Sequence, residues 1–96
     1  PYRWWSDGAI AVNGSFQIPS QAMAHGFIFI QARRYGYSSS VMLETGFIKT
    51  DGVSVRLEAA EGRYWEFHIN AETYVCTLIS KGSSTGDPYI SIAGIF

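Results

Sequence analysis

Between Val53 and Asn70 apolar and polar residues change places one by one. Val53, Val55, Leu57 and Ala59 fall on one side of an extended chain, and Ser54, Arg56 and Glu58 on the other. In the following stretch Arg63, Trp65, Phe67 and Ile69 share a face, opposed by Tyr64, Glu66 and His68. Two such runs either side of a Glu61-Gly62-Arg63 turn predict a hairpin with an odd, three-residue connection and a bulge. Placing like faces together pairs Leu57 with Phe67 and Ala59 with Trp65. It also sets Arg56 opposite His68 and Glu58 opposite Glu66, with Arg56 diagonally near Glu66.

The rest of the chain has the same grain. Aromatic and β-branched runs are broken at short intervals by Gly, Asn, Asp, Ser and Pro, and no stretch carries a 3.6-residue period. The expected strands are Gly8 to Val12, Ser15 to Ile18, Gly26 to Arg34, Ser40 to Glu44, Gly46 to Lys49, Val53 to Ala60, Arg63 to Asn70, Thr73 to Ser80 and Tyr89 to Ile95. Asn13-Gly14 and Asp51-Gly52 read as tight hairpin turns, and Pro19 ends a strand by removing a ladder donor. Ser38 to Ser40 and Lys81 to Pro88 read as loops, the second long and flexible. The "SQAMAH" stretch reads as a loop with room for one helical turn. The fold class is therefore all-β: an antiparallel sandwich, jelly-roll-like, of about eight to nine short strands, forming a single domain over residues 1–96. Trp65, Phe67 and Ile69 belong to its core, and Ile90 to Ile95 to an internal strand.

"GFIFIQA", "TYVCTLI" and "YISIAGI" depart from alternation, being apolar on both faces, so something must cover the second face. A neighbouring subunit is the expected cover, the alternative being scattered exposed aliphatics of the kind normal on protein surfaces. One of Trp4 and Trp5 is expected beneath the sheet, the other toward solvent or a neighbour.

Composition narrows the function classes. The 96 residues are 47% hydrophobic and 16% charged, with seven Lys and Arg against eight Asp and Glu and a net charge of −1. Folding at this size hides roughly 65% of the unfolded chain's surface, enough for one core. No basic stripe is available for a nucleic-acid backbone. No apolar run reaches the length of a membrane-spanning helix, so membrane insertion is not expected. Cys76 is the single cysteine, which leaves no internal disulfide, and its setting is that of a buried strand thiol. The chain starts at Pro1 without an initiator Met or charged leader, which reads as an excised or processed piece of a longer protein.

No catalytic, metal or cofactor signature emerges. Glu58 and Glu66 have the carboxylate pairing of a glycosidase but lie on a flat hairpin face with no pocket to raise one pKa. His25 and His68 lack zinc-ligand spacing, and the serines lack a nucleophile elbow. "GSSTG" has no following Lys and no helix to act as a phosphate loop. Recognition is the better-supported chemistry. "ARRYGYSSS", Ala32 to Ser40, brings Arg33, Arg34, Tyr35 and Tyr37 to a strand end and a turn. Aromatic faces stack on sugar rings, and guanidinium forks hold hydroxyls or carboxylates. The Tyr64, Glu66 and His68 face is the second candidate.

"WWSDGAIAVNGSFQIP" (Trp4 to Pro19), "HGFIFIQARR" (His25 to Arg34) and "ISIAGI" (Ile90 to Ile95) resemble, in that order, the opening, central run and closing strand of the C-terminal receptor-binding knob of tailed-bacteriophage tail fibres and tailspikes. Ser91 stands where that family usually has Lys, and Ala93 where it has Tyr. The resemblance implies a non-catalytic tip domain on a homotrimeric fibre of the virion, extracellular, touching a bacterial cell-surface polysaccharide. Two other classes fit the same residues: a trimerisation cap that binds nothing, and a carbohydrate-binding module of a depolymerase.

Overall fold

In the computed structural model, which describes residues 2–96, the alternating stretches become eight antiparallel strands in two four-stranded sheets. The first sheet holds β1 (Tyr2–Trp5), β8 (Tyr89–Ile95), β3 (Phe27–Arg34) and β4 (Tyr37–Glu44), in that order. The second holds β2 (Ser15–Gln17), β7 (Val75–Lys81), β6 (Tyr64–Ile69) and β5 (Val53–Glu58). The all-β sandwich class is as expected from the alternation. β1 with β8 and β2 with β7 give the nested outer pairings of a jelly roll, whereas β3–β4 and β5–β6–β7 stay as consecutive hairpins within one sheet each.

Inward side chains of both sheets meet in one core. Ile28, Ile30 and Ala32 of β3 and Ile90 and Ile92 of β8 come from one side; Leu57, Trp65, Phe67, Ile69, Cys76 and Leu78 come from the other. Each fully buried aliphatic contributes about 1.5 to 3 kcal/mol. Trp4 crosses the gap to stack on Phe16, with centroids 5.3 Å apart, while Trp5 on the opposite face of β1 is exposed.

The three strands apolar on both faces are the inner strands β3, β7 and β8, each hydrogen-bonded on both sides. Part of their second face is covered by neighbours on the same sheet: Ser91 and Ala93, on the outer face of β8, are buried between flanking strands. Phe29, Met42 and Trp5 on that face stay exposed.

Several expectations are corrected. Gly46 to Lys49 is not a strand but the middle of helix α2 (Thr45–Asp51), which buries Thr45 and Ile48 three residues apart; a four-residue stretch with two adjacent apolar positions does not reveal its period. Asp51-Gly52 is accordingly a helix stop: the Gly52 N–H bonds Ile48 O at 3.0 Å, and Gly52 has φ 68° and ψ 179°, a region essentially restricted to glycine. Gly8 to Val12 is irregular, held by Ile10 N donating to Pro88 O at 2.9 Å. Asn13-Gly14 is a turn, with Asn13 at φ 70°, but it does not join two strands. Ser38 to Ser40 lies within β4, and β1 lies where no strand was expected. "SQAMAH" contains the one-turn helix α1 (Ser20–Met23), whose Ala22 and Met23 are buried.

The β5–β6 hairpin keeps its predicted faces and slips by two residues. Leu57 pairs with Trp65, Val55 with Phe67, Arg56 with Glu66 and Glu58 with Tyr64. The connection is Ala60–Gly62, closed by Ala59 N donating to Arg63 O at 2.8 Å, with Glu61 and Gly62 at positive φ. The turn centre sits one residue earlier than expected, which moves the register by two and leaves every side chain on its own face. The bulge falls in the next pair instead: β6 and β7 change register between Glu66 and Phe67, leaving Ile79 unpaired and exposed.

Candidate functional site

The β3–β4 hairpin closes in the shortest way its sequence allows. Arg34 pairs with Tyr37, so Tyr35 and Gly36 alone make the turn. Gly36 has φ 80°, a left-handed conformation that a side chain would strain. Tyr35, at the tip, is 80% exposed and has no role in the core.

Beside this turn lies a cavity of about 450 Å³. It is lined by Arg33, Arg34, Tyr35 and Tyr37, all in the first predicted set, together with Gly36, Ser38 and Tyr89. The strand register explains the grouping. Arg33 sits between Ser38 of β4 and Tyr89 of β8, and Arg34 precedes the turn, so three strand ends converge. The Arg34 guanidinium carbon lies 4.2 Å from the Tyr35 ring centroid and 5.2 Å from that of Tyr89. That of Arg33 lies 4.8 Å from the Trp5 ring.

Tyr37 is built differently from Tyr35. Its ring stacks on Trp65, with centroids 5.6 Å apart and planes 16° from parallel, and the Arg63 guanidinium carbon lies 4.6 Å from the same ring. Its hydroxyl accepts a hydrogen bond from Gly86 N at 2.7 Å. Tyr37 is therefore a half-buried strut joining the cavity to the core, with only part of its ring available to a ligand.

The loop from Lys81 to Pro88, expected to be flexible, is tied down at several points. Trp65 Nε1 donates to Gly86 O at 2.9 Å, Lys81 Nζ meets Asp87 Oδ1 at 2.7 Å, and Arg63 Nε donates to Ser84 O at 3.4 Å. The β3–β4, β5–β6 and β7–β8 connections thus meet at one end of the sandwich. Helix α1 packs on β8, β1 and β3, and α2 on β4. Thr45 at the start of α2 bonds His25 O at 2.6 Å and Gly26 O at 3.1 Å, beyond α1, so the two helices are joined away from the cavity.

Tyr64, Glu66 and His68, the second predicted set, share the outer face of β6 but do not line one cavity. Arg56 occupies the outer face of β5 and β6: its guanidinium carbon is 3.6 Å from the Tyr64 centroid, its Nε is 3.6 Å from Glu66 Oε1, and its Nη1 is 3.8 Å from Glu58 Oε1. His68 Nδ1 is 3.0 Å from Ser54 Oγ. A cavity of about 360 Å³ here is bordered by Tyr64 but by neither Glu66 nor His68. Exposed ion pairs of this kind are worth little, about 0 to 1 kcal/mol, and they occupy the groups a ligand would need.

The sequence offers no signal that places Tyr89 or Gly86 at this site, and marks Trp5 only as one of two tryptophans of which one faces outward. Tyr89 opens the last strand after a Pro-ended loop, and only the β3–β8 pairing brings it to Arg33. Cys76 is fully buried, and burial pushes its thiol up to about 12, which makes it a core residue with no thiolate chemistry near neutral pH. Among the described residues no helix is long and apolar enough to cross a membrane. No protein-family model, no curated protein and no solved structure matches the chain.

Proposed function

We propose that this domain is a non-catalytic recognition module, the tip domain of a bacteriophage tail fibre or tailspike, which binds bacterial cell-surface polysaccharide through the hairpin-tip cavity. The cavity carries the proposal. Its volume suits one or two sugar rings, its walls are tyrosines, and its polar groups are guanidinium forks rather than a positioned acid and base. Glu58 and Glu66, the only carboxylate pair with a glycosidase-like placement in the sequence, are engaged by Arg56 on an open strand surface.

Presentation as a homotrimer is part of the same proposal. Phe29, Met42 and Trp5 on the outer face of the first sheet supply apolar area for association. Stacking one sugar on an aromatic contributes on the order of 1 kcal/mol, so three linked sites would be needed for firm attachment.

A glycan array probed with the fluorescently labelled domain tests this directly. At least one class of bacterial polysaccharide should be retained, and Tyr35→Ala should weaken that signal severalfold at unchanged melting temperature. Retention of no glycan, or identical retention by Tyr35→Ala, would refute the assignment and leave a trimerisation cap as the better description. Light scattering at micromolar concentration reports the trimer separately.

A further inference from the structure

The hairpin-tip cavity holds two cations and no anion. Arg33 and Arg34 line it, and none of its other lining residues is acidic. Among the described residues, ion pairs engage Arg56, Arg63 and Lys81, and neither Arg33 nor Arg34 takes part in one. Nor does either guanidinium donate a hydrogen bond to another described residue, although Arg63 does so twice. In a chain whose net charge is −1, this is a local excess of positive charge that the protein leaves uncompensated.

Both guanidinium groups are nonetheless held in place. Arg34 lies against the rings of Tyr35 and Tyr89, and Arg33 against Trp5. These contacts limit where each guanidinium can go, and a guanidinium set face-on to a ring leaves its N–H edge free for a ligand. Each edge can take a carboxylate through two parallel hydrogen bonds, the shorter and stronger charge-assisted kind. A neutral sugar offers hydroxyls, which fit the same donors singly and without the charge.

We propose that the ligand of this cavity is an acidic saccharide, with a uronate carboxylate held by the guanidinium edges of Arg33 and Arg34 while its ring lies on Tyr35 or Tyr89. This rests on the saccharide function proposed above and names the chemical class of the ligand. Tyr35 and Tyr89 then have two tasks, orienting Arg34 and presenting an apolar wall to the sugar. Arg33 and Arg34 set the preference for acid.

The test is a titration of the isotope-labelled 96-residue chain with trigalacturonate and with neutral galactotriose, followed through the Gly36 and Gly86 amides and the arginine Nε–H signals. Trigalacturonate should bind roughly tenfold or more tightly than galactotriose, the scale expected for a charge-assisted over a neutral hydrogen bond. The preference should shrink on raising salt from 50 to 200 mM, and should fall severalfold in Arg33→Gln and in Arg34→Gln, with melting curves showing that both variants fold. Equal affinity for the two trisaccharides overturns the acidic class and leaves the saccharide function standing. Binding of neither at millimolar concentration overturns both. Displacement of trigalacturonate by an equal concentration of inorganic phosphate would reassign the cavity to a free anion and overturn the sugar.

Discussion

Tyr37 and Tyr35 flank one glycine and should respond to mutation in opposite ways. Tyr37→Phe removes the acceptor of the 2.7 Å bond from Gly86 N and leaves that N–H in a half-buried site, at a cost of about 1 to 2 kcal/mol. Tyr37→Ala also removes the stack on Trp65, worth about 1 kcal/mol beyond area. About 100 Å² of buried ring goes with it, another 2 kcal/mol or so, for a total near 3 to 4 kcal/mol once overlap is allowed for. A chain of 96 residues unfolds with about 0.2 kcal/mol per degree, so each kcal/mol moves the midpoint by roughly 5 °C. Calorimetry should therefore show losses of about 5 to 10 °C for Tyr37→Phe and about 15 °C or more for Tyr37→Ala. Tyr35→Ala, at an 80% exposed position, should stay within about 3 °C of the parent. A Tyr37→Ala protein that melts within 3 °C of the parent would refute the strut, and with it the claim that one wall of the cavity is fixed by the core.

Three further substitutions separate conformation from space and burial from charge. Gly36→Ala meets no atom within 4 Å and should cost about 1 kcal/mol for its positive φ, whereas Gly52→Ala also places Cβ 2.8 Å from Ile69 O and should cost at least twice as much. Equal melting points for the two would refute the helix-stop geometry. Cys76 should resist a thiol reagent at pH 8 and react on unfolding. Its folded value of about 12 lies above the unfolded 9.0, so the stability it carries is complete below pH 9 and is lost as pH rises toward 12. Urea midpoints between pH 9 and 11 should fall more steeply for the parent than for Cys76→Ala; parallel slopes would show that the thiol is not protected.

Much of the sandwich was legible because its signals are local. The faces of β5 and β6 follow from alternation alone, and Trp65, Phe67 and Ile69 are in the core as the phase required. Register is a weaker signal: a slip of two preserves every face, so only the turn decides, and there the positive φ falls on Glu61 and Gly62 rather than being centred on Gly62. β1 carries almost no pattern of its own, being two aromatics inward and Arg3 and Trp5 outward. It is a strand because the outer edge of β8 offers Ser91 to Gly94 as partners. In α2, Phe47-Ile48 is apolar at adjacent positions and so carries no helical period; only contact with the core shows that Ile48 is inside and Phe47 outside.

The candidate site divides along the same line. Arg33, Arg34, Tyr35 and Gly36 are adjacent in sequence, and a two-residue turn keeps neighbours together in space, so their grouping needed no knowledge of the fold. Tyr89, Trp5, Arg63 and Gly86 reach the same region only through the β3–β8 pairing, the β1–β8 pairing and the contact between sheets at Tyr37 and Trp65. The division has a physical consequence for how the site can vary. The tip residues have little part in the core, so replacing Tyr35 or either arginine should alter the cavity at small cost in stability. Tyr37 is bonded into both sheets, so the position of the cavity is fixed by the same contacts that hold the sandwich together.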